Sequence, residues 1–117
     1  MARVHALHKV GLKPGVDLAE FERFAVEEMG PAVEQMPGVR YRLLRGEKGD
    51  RKGRYLELLE CDSVERYRSY FPEDKPDGSE EFLRYFEEHM APLMEKWNTF
   101  ALSSTDPTYT DYVVLGE

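Results

Sequence analysis

Three short segments of this 117-residue sequence alternate between apolar and polar side chains with a period of two, the pattern of β-strands, and a fourth segment near the end is a short apolar run that also indicates a strand. Apolar residues at helical spacing separate the first segment from the second and the third from the fourth. Only the glycine-rich residues 46–53 separate the second from the third. This order predicts a single α+β domain, residues 1–117, with a ferredoxin-like βαββαβ fold and an antiparallel four-stranded sheet. The strands are predicted at Val4–Val10, Val39–Leu43, Tyr55–Cys61 and Tyr112–Leu115.

Side chains that can cap free backbone N–H groups predict where each of three helical segments begins. Asp17 and Glu20 form a capping box before the first helix. Asp62 and Glu65 repeat that arrangement before the second. Ser79 is placed to cap the third, longer helix.

Two prolines lie inside helical segments, where a proline cannot donate the usual backbone hydrogen bond. Pro31, directly after Gly30, is expected to kink or break the first helix. Pro92 is expected to bend the last helix, either to shape a pocket or only to wrap the helix round the sheet. Residues 98–110 are expected to be irregular.

Apolar side chains occupy both faces of the predicted strands. Leu56 and Leu58 share one face of the third strand, whereas Leu59 lies on the other. Helices cover only one face of a ferredoxin-like sheet, and burial of apolar surface contributes roughly 25 cal/mol per Å². Large exposed apolar patches are uncommon in monomers. A second copy of the chain is therefore predicted to cover the bare face.

Composition and charge exclude several classes of partner. The net charge of -7 and the pI of about 5.0 argue against a nucleic-acid surface, which needs a basic patch. The longest apolar runs are too short for a membrane span, and residues 1–10 lack the apolar core of a secretory signal, so a cytoplasmic location is expected. Cys61 is the single cysteine, and no metal-site spacing is present, so no metal is expected. The low Asn and Gln content and high Glu and Arg content resemble heat-adapted proteins.

Three passages and the short closing strand resemble the dimeric α/β barrel superfamily. The passages are KPGVDLAEFERF (residues 13–24), MPGVRYRLL (36–44) and YLELLECDSVERYRSY (55–70). The resemblance implies a homodimer in which two sheets pack face to face as a barrel, with a cleft between each subunit's own sheet and helices. Members include cofactor-free monooxygenases, haem-degrading enzymes, haem peroxidases, lactone isomerases and small proteins of unassigned role, so the fold does not fix the function.

Two histidines are candidate catalytic residues. His89 falls on the apolar side of the last helix, where an imidazole can bind a ligand, act as acid or base, or serve as a hydrogen-bonded packing residue. Haem-degrading members of the superfamily use a histidine on the corresponding helix, so the resemblance implies His89 as an axial haem ligand. His5 and His8 point to opposite faces of a strand and cannot chelate one ion together. If the face of His8 looks towards the helices, His8 and His89 share a cleft suited to proton abstraction.

Aromatic side chains are expected to line this cleft, as they line most small-molecule pockets, although their helical spacing is also typical of a core. The main candidates are Phe24, Phe82, Phe86 and Trp97, and the further aromatic residues for such a wall are Tyr41, Tyr55, Tyr67, Tyr70, Tyr85 and Tyr112. Glu57 stands mid-strand among apolar residues. It is expected to form a cross-strand ion pair with Arg40 or Arg42 and to have no catalytic role.

The sequence leaves three functions open. The first is a cofactor-free, monooxygenase-like protein that binds or converts a small hydrophobic, aromatic or polyketide-like compound, with His8 and His89 at its site. The second is haem capture by His89. The third is a non-catalytic dimer whose barrel is purely structural. Phosphate-loop, G-x-S-x-G and H-E-x-x-H motifs do not occur, which argues against nucleotide hydrolysis, serine hydrolysis and zinc proteolysis.

Overall fold

The computed structural model describes residues 2–102 and 109–116. Its strands are β1 (Val4–Val10), β2 (Val39–Arg45), β3 (Tyr55–Cys61) and β4 (Tyr109–Val113). Its helices are α1 (Leu18–Phe24), α2 (Gly30–Val33), α3 (Val64–Tyr70), α4 (Glu80–Tyr85) and α5 (Ala91–Phe100). Two π-helical turns, Ala25–Met29 and Phe86–Met90, join α1 to α2 and α4 to α5 into two long helices. The predicted order of elements and the ferredoxin-like fold class are confirmed.

The sheet is antiparallel throughout, with the strand order β2-β3-β1-β4. The central strand β1 pairs with β3 on one side and with β4 on the other. Because side chains alternate along a strand, the buried residues Val4 and Val10 identify the face of β1 that packs against the helices. His8 belongs to that face.

Phe21 of α1 is the centre of an aromatic core between the helices and the sheet, and it is fully buried. Its ring centroid lies 5.2 Å from that of Tyr55 on β3. The rings of Trp97 and Phe100 on α5 lie 5.6 and 5.7 Å away. Since aromatic side chains bury more apolar area than other residues, these contacts hold α1 and α5 over the Tyr55 end of the sheet.

Side-chain caps begin the helices largely as predicted. Asp17 and Ser79 are confirmed as N-caps, because their side-chain oxygens accept hydrogen bonds from backbone N–H groups three residues later. The prediction for α3 is wrong by one residue, since Ser63 and not Asp62 provides the cap. Ser63 has the extended backbone that precedes the helix, and Asp62 instead accepts a hydrogen bond from Arg66 Nε at 3.0 Å.

Each of the two long helices contains a proline at the second residue after a π-helical turn. In the first turn, the N–H of Gly30 donates to the carbonyl of Ala25, five residues earlier, and the second turn closes in the same way. The helical backbone therefore continues through Pro31 and Pro92, and a break at Pro31 does not occur. The wider π-helical turn lets each helix continue although its proline cannot donate a backbone hydrogen bond.

The closing strand differs from its predicted bounds. It covers Tyr109–Val113, three residues earlier at its start than expected, because it pairs with β1 from Val4 to His8. Of the segment expected to be irregular, residues 98–100 are helical and residues 109–110 belong to β4. Residues 103–108 lie outside the described part of the chain.

The face of the sheet opposite the helices carries both apolar and charged side chains. Leu44 on this face is 40% exposed and Tyr112 is 52% exposed. Its apolar members are Leu7, Leu44, Leu56, Leu58 and Tyr112. Pairing of two copies through this face stays a prediction.

Candidate functional site

His8 lies in a row of side chains across the helix-facing side of the sheet. Its strand neighbours in that row are Glu57 on β3 and Tyr109 on β4. The rings of His8 and Tyr109 stack with centroids 5.3 Å apart and planes at 29°. His8 is half-buried, whereas Tyr109 is 58% exposed, so the row is open to solvent at its β4 end. The predicted orientations are confirmed, because His5 lies on the opposite face, 3.1 Å from Glu60 Oε2.

The surroundings of His8 favour its neutral form. Burial lowers the pKa of His8 below its usual value, and the negative charge of Asp111 opposes that effect only in part. At neutral pH the imidazole is therefore mainly uncharged, and a neutral imidazole can accept a proton. This state is the one that a general base requires.

Glu57 is bound by a tyrosine and not by an arginine. The phenol of Tyr41 donates a hydrogen bond to Glu57 Oε2 at 2.6 Å. Burial raises the pKa of Glu57, and the bond from Tyr41 offsets part of that rise. The predicted ion pair is wrong, because the register places Glu57 opposite Leu43 and puts Arg40 and Arg42 on the other face.

Asp111 of β4 lies in the neighbouring row of side chains on the same face of the sheet. The phenol of Tyr67 on α3 donates a hydrogen bond to Asp111 Oδ2. Burial raises the pKa of Tyr67, and the bond to Asp111 raises it further. Asp111 lies opposite Ala6 on β1, one position along the same face from His8. Its charge acts on the imidazole of His8, so the two side chains belong to one site.

His89 lies in the second π-helical turn, and its side chain is 33% exposed. Its ring stacks on Tyr85, one turn earlier, with centroids 6.3 Å apart and planes at 24°. Nε2 of His89 lies 3.6 Å from Glu88 Oε2, which is itself mostly exposed. His89 thus stacks on Tyr85, whereas His8 stacks on Tyr109. That the two histidines share one cleft stays a prediction.

The four predicted cleft aromatics fall into two groups. Phe24 is 1% exposed and packs with Phe100 in the core, and Trp97 packs against Phe21 of the same core. Phe82 contacts Phe86, with ring centroids 6.1 Å apart. Phe82 also packs against Phe71, the residue that follows α3. Burial places Phe24 within the core, and the partly buried Phe82, Phe86 and Trp97 remain the candidates for a ligand-facing wall.

The sequence matches the family model of the REDY-like protein HapK over residues 4–111, from the start of β1 into β4. The chain belongs to this family. No curated protein matches it in sequence.

The fold of this HapK-family chain is similar to several solved structures. SnoaB, described as a cofactor-independent oxygenase from Streptomyces nogalater, gives a TM-score of 0.56 at 14% identity, covering 100% of this chain and 97% of SnoaB. A DABB family protein with a ferredoxin-like fold from Mesorhizobium loti gives a TM-score of 0.56 at 19% identity, covering 99% of this chain and 100% of that protein. At such identities the likeness shows the fold alone.

Two surface hollows of the HapK-family chain lie away from His8 and His89. One, of about 560 Å³, lies beside the β3 end of the hairpin and includes Lys9, Arg51 and Leu102. The other, of about 450 Å³, lies on the sheet face opposite the helices and includes Arg42 and Glu60. We place the candidate site at His8 nevertheless, because a desolvated imidazole, two carboxylates and three tyrosines converge there.

Other chemical classes of site receive no support from the described residues. Within 2–102 and 109–116, no group of three His, Cys, Asp or Glu side chains could hold a metal ion. None of the helices described there has the length and apolar character to cross a membrane. Cys61 is buried, and burial raises the pKa of its thiol to about 11, which makes it a poor nucleophile.

Two members of this site, Tyr109 and Asp111, were not predicted from the sequence. A period of two extended backward from Val113 would have placed Asp111 and Tyr109 on one strand face. No local pattern indicates that Tyr67, 44 residues before Asp111, donates to it.

Proposed function

We propose that this protein binds a small aromatic compound beside His8 and oxidises it with dioxygen, without a cofactor. The observation that carries this proposal is the half-buried imidazole of His8 in a polar row on the helix-facing side of the sheet, where burial lowers its pKa. The similarity of fold to SnoaB, a cofactor-independent oxygenase, supports it further.

The chemistry requires a substrate with an acidic C–H bond, such as a CH₂ group held between phenolic rings. His8 removes one proton, and the rings delocalise the resulting carbanion. The carbanion transfers electrons to dioxygen, a C–O bond forms, and protonation yields a hydroperoxide. Loss of water from the hydroperoxide leaves a ketone, so one oxygen atom enters the product and the other enters water. The substrate itself is the reductant.

His89 is the second acid–base group in this proposal. Its imidazole is partly exposed and stacks on Tyr85. A second imidazole can return a proton to the hydroperoxide while His8 holds the first. The partly buried Phe82, Phe86 and Trp97 supply apolar surface for the rings of the substrate.

The test uses 1,8-dihydroxyanthrone, whose oxidation to the quinone is followed by absorbance and by oxygen uptake. We expect the protein to accelerate this oxidation and His8→Gln to lower the rate by roughly 100-fold or more, the contribution of a general base. His5→Gln is the matched control, since His5 lies on the same strand but on the opposite face. Equal rates for wild type and His8→Gln, or an equal loss in His5→Gln, would contradict the proposal.

We also propose that two copies of the chain pair through the sheet face opposite the helices. The exposed Leu44 and Tyr112 and the half-buried Leu56 and Leu58 lie on this face. Stable interfaces bury about 1,200–2,000 Å² in total, and a four-stranded sheet face with an apolar centre suits an interface of that kind. Pairing would cover this apolar surface while leaving His8, on the helix-facing side, free to bind its compound.

A further inference from the structure

We propose that Asp111 selects compounds that carry an O–H or N–H donor, by accepting a hydrogen bond from that donor at its second carboxylate oxygen. The inference rests on the proposed function, which places the bound compound beside His8. It adds a specificity-determining residue and narrows the class of substrate.

The two oxygens of Asp111 have different surroundings. Oδ2 accepts the hydrogen bond from the phenol of Tyr67. Oδ1 is buried and has no hydrogen-bond partner among residues 2–102 and 109–116. A buried carboxylate oxygen without a donor is destabilising, and nearly all buried polar groups in folded proteins have a partner. A donor supplied by a bound compound would satisfy Oδ1.

The position of Asp111 suits a contact with the same compound that His8 deprotonates. Asp111 on β4 lies opposite Ala6 on β1, and Ala6 in turn lies opposite Leu59 on β3. The side chain of Ala6 is only a methyl group. His8 and Asp111 are diagonal neighbours on paired strands, and such neighbours lie roughly 7–8 Å apart. A fused aromatic compound spans such a distance. It can place a hydroxyl or N–H group at Asp111 and a C–H bond at His8.

This arrangement predicts strong discrimination against compounds without the donor. A site built to bind an O–H or N–H group rejects an analogue that lacks it, because the protein group is then left buried and unpaired. Replacing a hydroxyl by a methyl ether removes the donor and leaves Asp111 Oδ1 without a partner.

The test compares 2-naphthol with 2-methoxynaphthalene, whose binding is measured by calorimetry and naphthalene fluorescence. We expect the wild-type protein to bind 2-naphthol at least about tenfold more tightly, since hydrogen bonds to charged groups are the strong ones. Asp111→Asn keeps the shape and an acceptor for Tyr67, and places an NH₂ donor at the position of Oδ1. This variant is expected to lose or reverse the preference for the hydroxyl.

Tyr67→Phe is the matched control. It removes the other hydrogen bond of Asp111 and leaves Oδ1 unchanged, so the preference for 2-naphthol should persist. If Asp111 only anchored Tyr67, Asp111→Asn, which keeps that acceptor, would retain the wild-type preference, and the inference would be overturned. A wild-type protein that binds both probes equally, or binds neither, overturns it as well.

The outcomes separate this inference from the proposed function, because the binding ratio is measured without turnover. If His8→Gln stops anthrone oxidation while Asp111→Asn retains the wild-type ratio, the function stands and the inference fails. If the ratio depends on Asp111 but no anthrone is oxidised, the inference stands and the oxygenase function fails.

Discussion

Replacing Tyr41 by Phe removes one oxygen atom from the centre of the site, the phenol oxygen that donates to Glu57 Oε2 across 2.6 Å. The side chain of Tyr41 is 5% exposed, and Phe retains its ring, so the change isolates one hydrogen bond. Burial and the nearby charge of Glu57 raise the pKa of Tyr41, so its phenol stays a donor at every pH used here.

The expected magnitude depends on the charge of Glu57. A hydrogen bond to a charged group contributes about 1.5–3 kcal/mol, and a neutral one about 0.5–1.5 kcal/mol. Because folded Glu57 has a raised pKa, its contribution to stability is fully present below about pH 4.5 and declines as the pH rises through the raised value. Loss of the Tyr41 bond raises that pKa further. Tyr41→Phe should therefore lower the free energy of unfolding by about 1 kcal/mol at pH 4 and about 2 kcal/mol at pH 9.

Urea denaturation, followed by the fluorescence of the single tryptophan Trp97 at fixed protein concentration, measures both values. Glu57→Gln is the matched background, since its amide oxygen accepts the Tyr41 bond but carries no charge. There, Tyr41→Phe should cost about 1 kcal/mol at both pH values. An equal cost at pH 4 and pH 9 in the wild-type background would refute the assignment of a buried, phenol-bound carboxylate.

Four further predictions concern other parts of the molecule. Leu58→Glu should reduce the mass by light scattering from twice the chain mass to 13.6 kDa, and a wild-type mass of 13.6 kDa at micromolar concentration would rule out the dimer. If His89 binds haem, haemin should show a shifted Soret band with the wild-type protein but not with His89→Ala. An unshifted band with the wild-type protein would exclude the haem hypothesis. Cys61, with its pKa raised to about 11, should react with Ellman's reagent at pH 8 roughly a hundredfold more slowly than in urea, and equal rates would contradict its burial. Trp97→Ala should lower the free energy of unfolding by about 3 kcal/mol, measured by circular dichroism, whereas a loss below about 1 kcal/mol would place Trp97 outside the core.

Local patterns predicted most of the fold. The alternation of Val4–Val10 and Tyr55–Cys61 and the cap at Asp17 depend only on neighbours within a few residues, and all three are confirmed. The errors lie where a distant strand decides the outcome. β4 begins at Tyr109 because β1 offers it a partner as far as His8.

Glu57 illustrates the same limit within the site. Its place in mid-strand was visible in the sequence, but its partner depended on the register between β2 and β3. A slip of one residue exchanges the two faces of a strand, so the choice between Tyr41 and the flanking arginines could not be made locally.

The sequence by itself determined the elements, their order and the strand face on which His8 lies, because periodicity and capping are properties of short segments. Only the tertiary structure decided what surrounds His8. Tyr67 and Asp111 are 44 residues apart in the chain, and Tyr109 meets His8 across two paired strands. Packing of helices on a sheet brings such residues together, and no local pattern encodes that proximity.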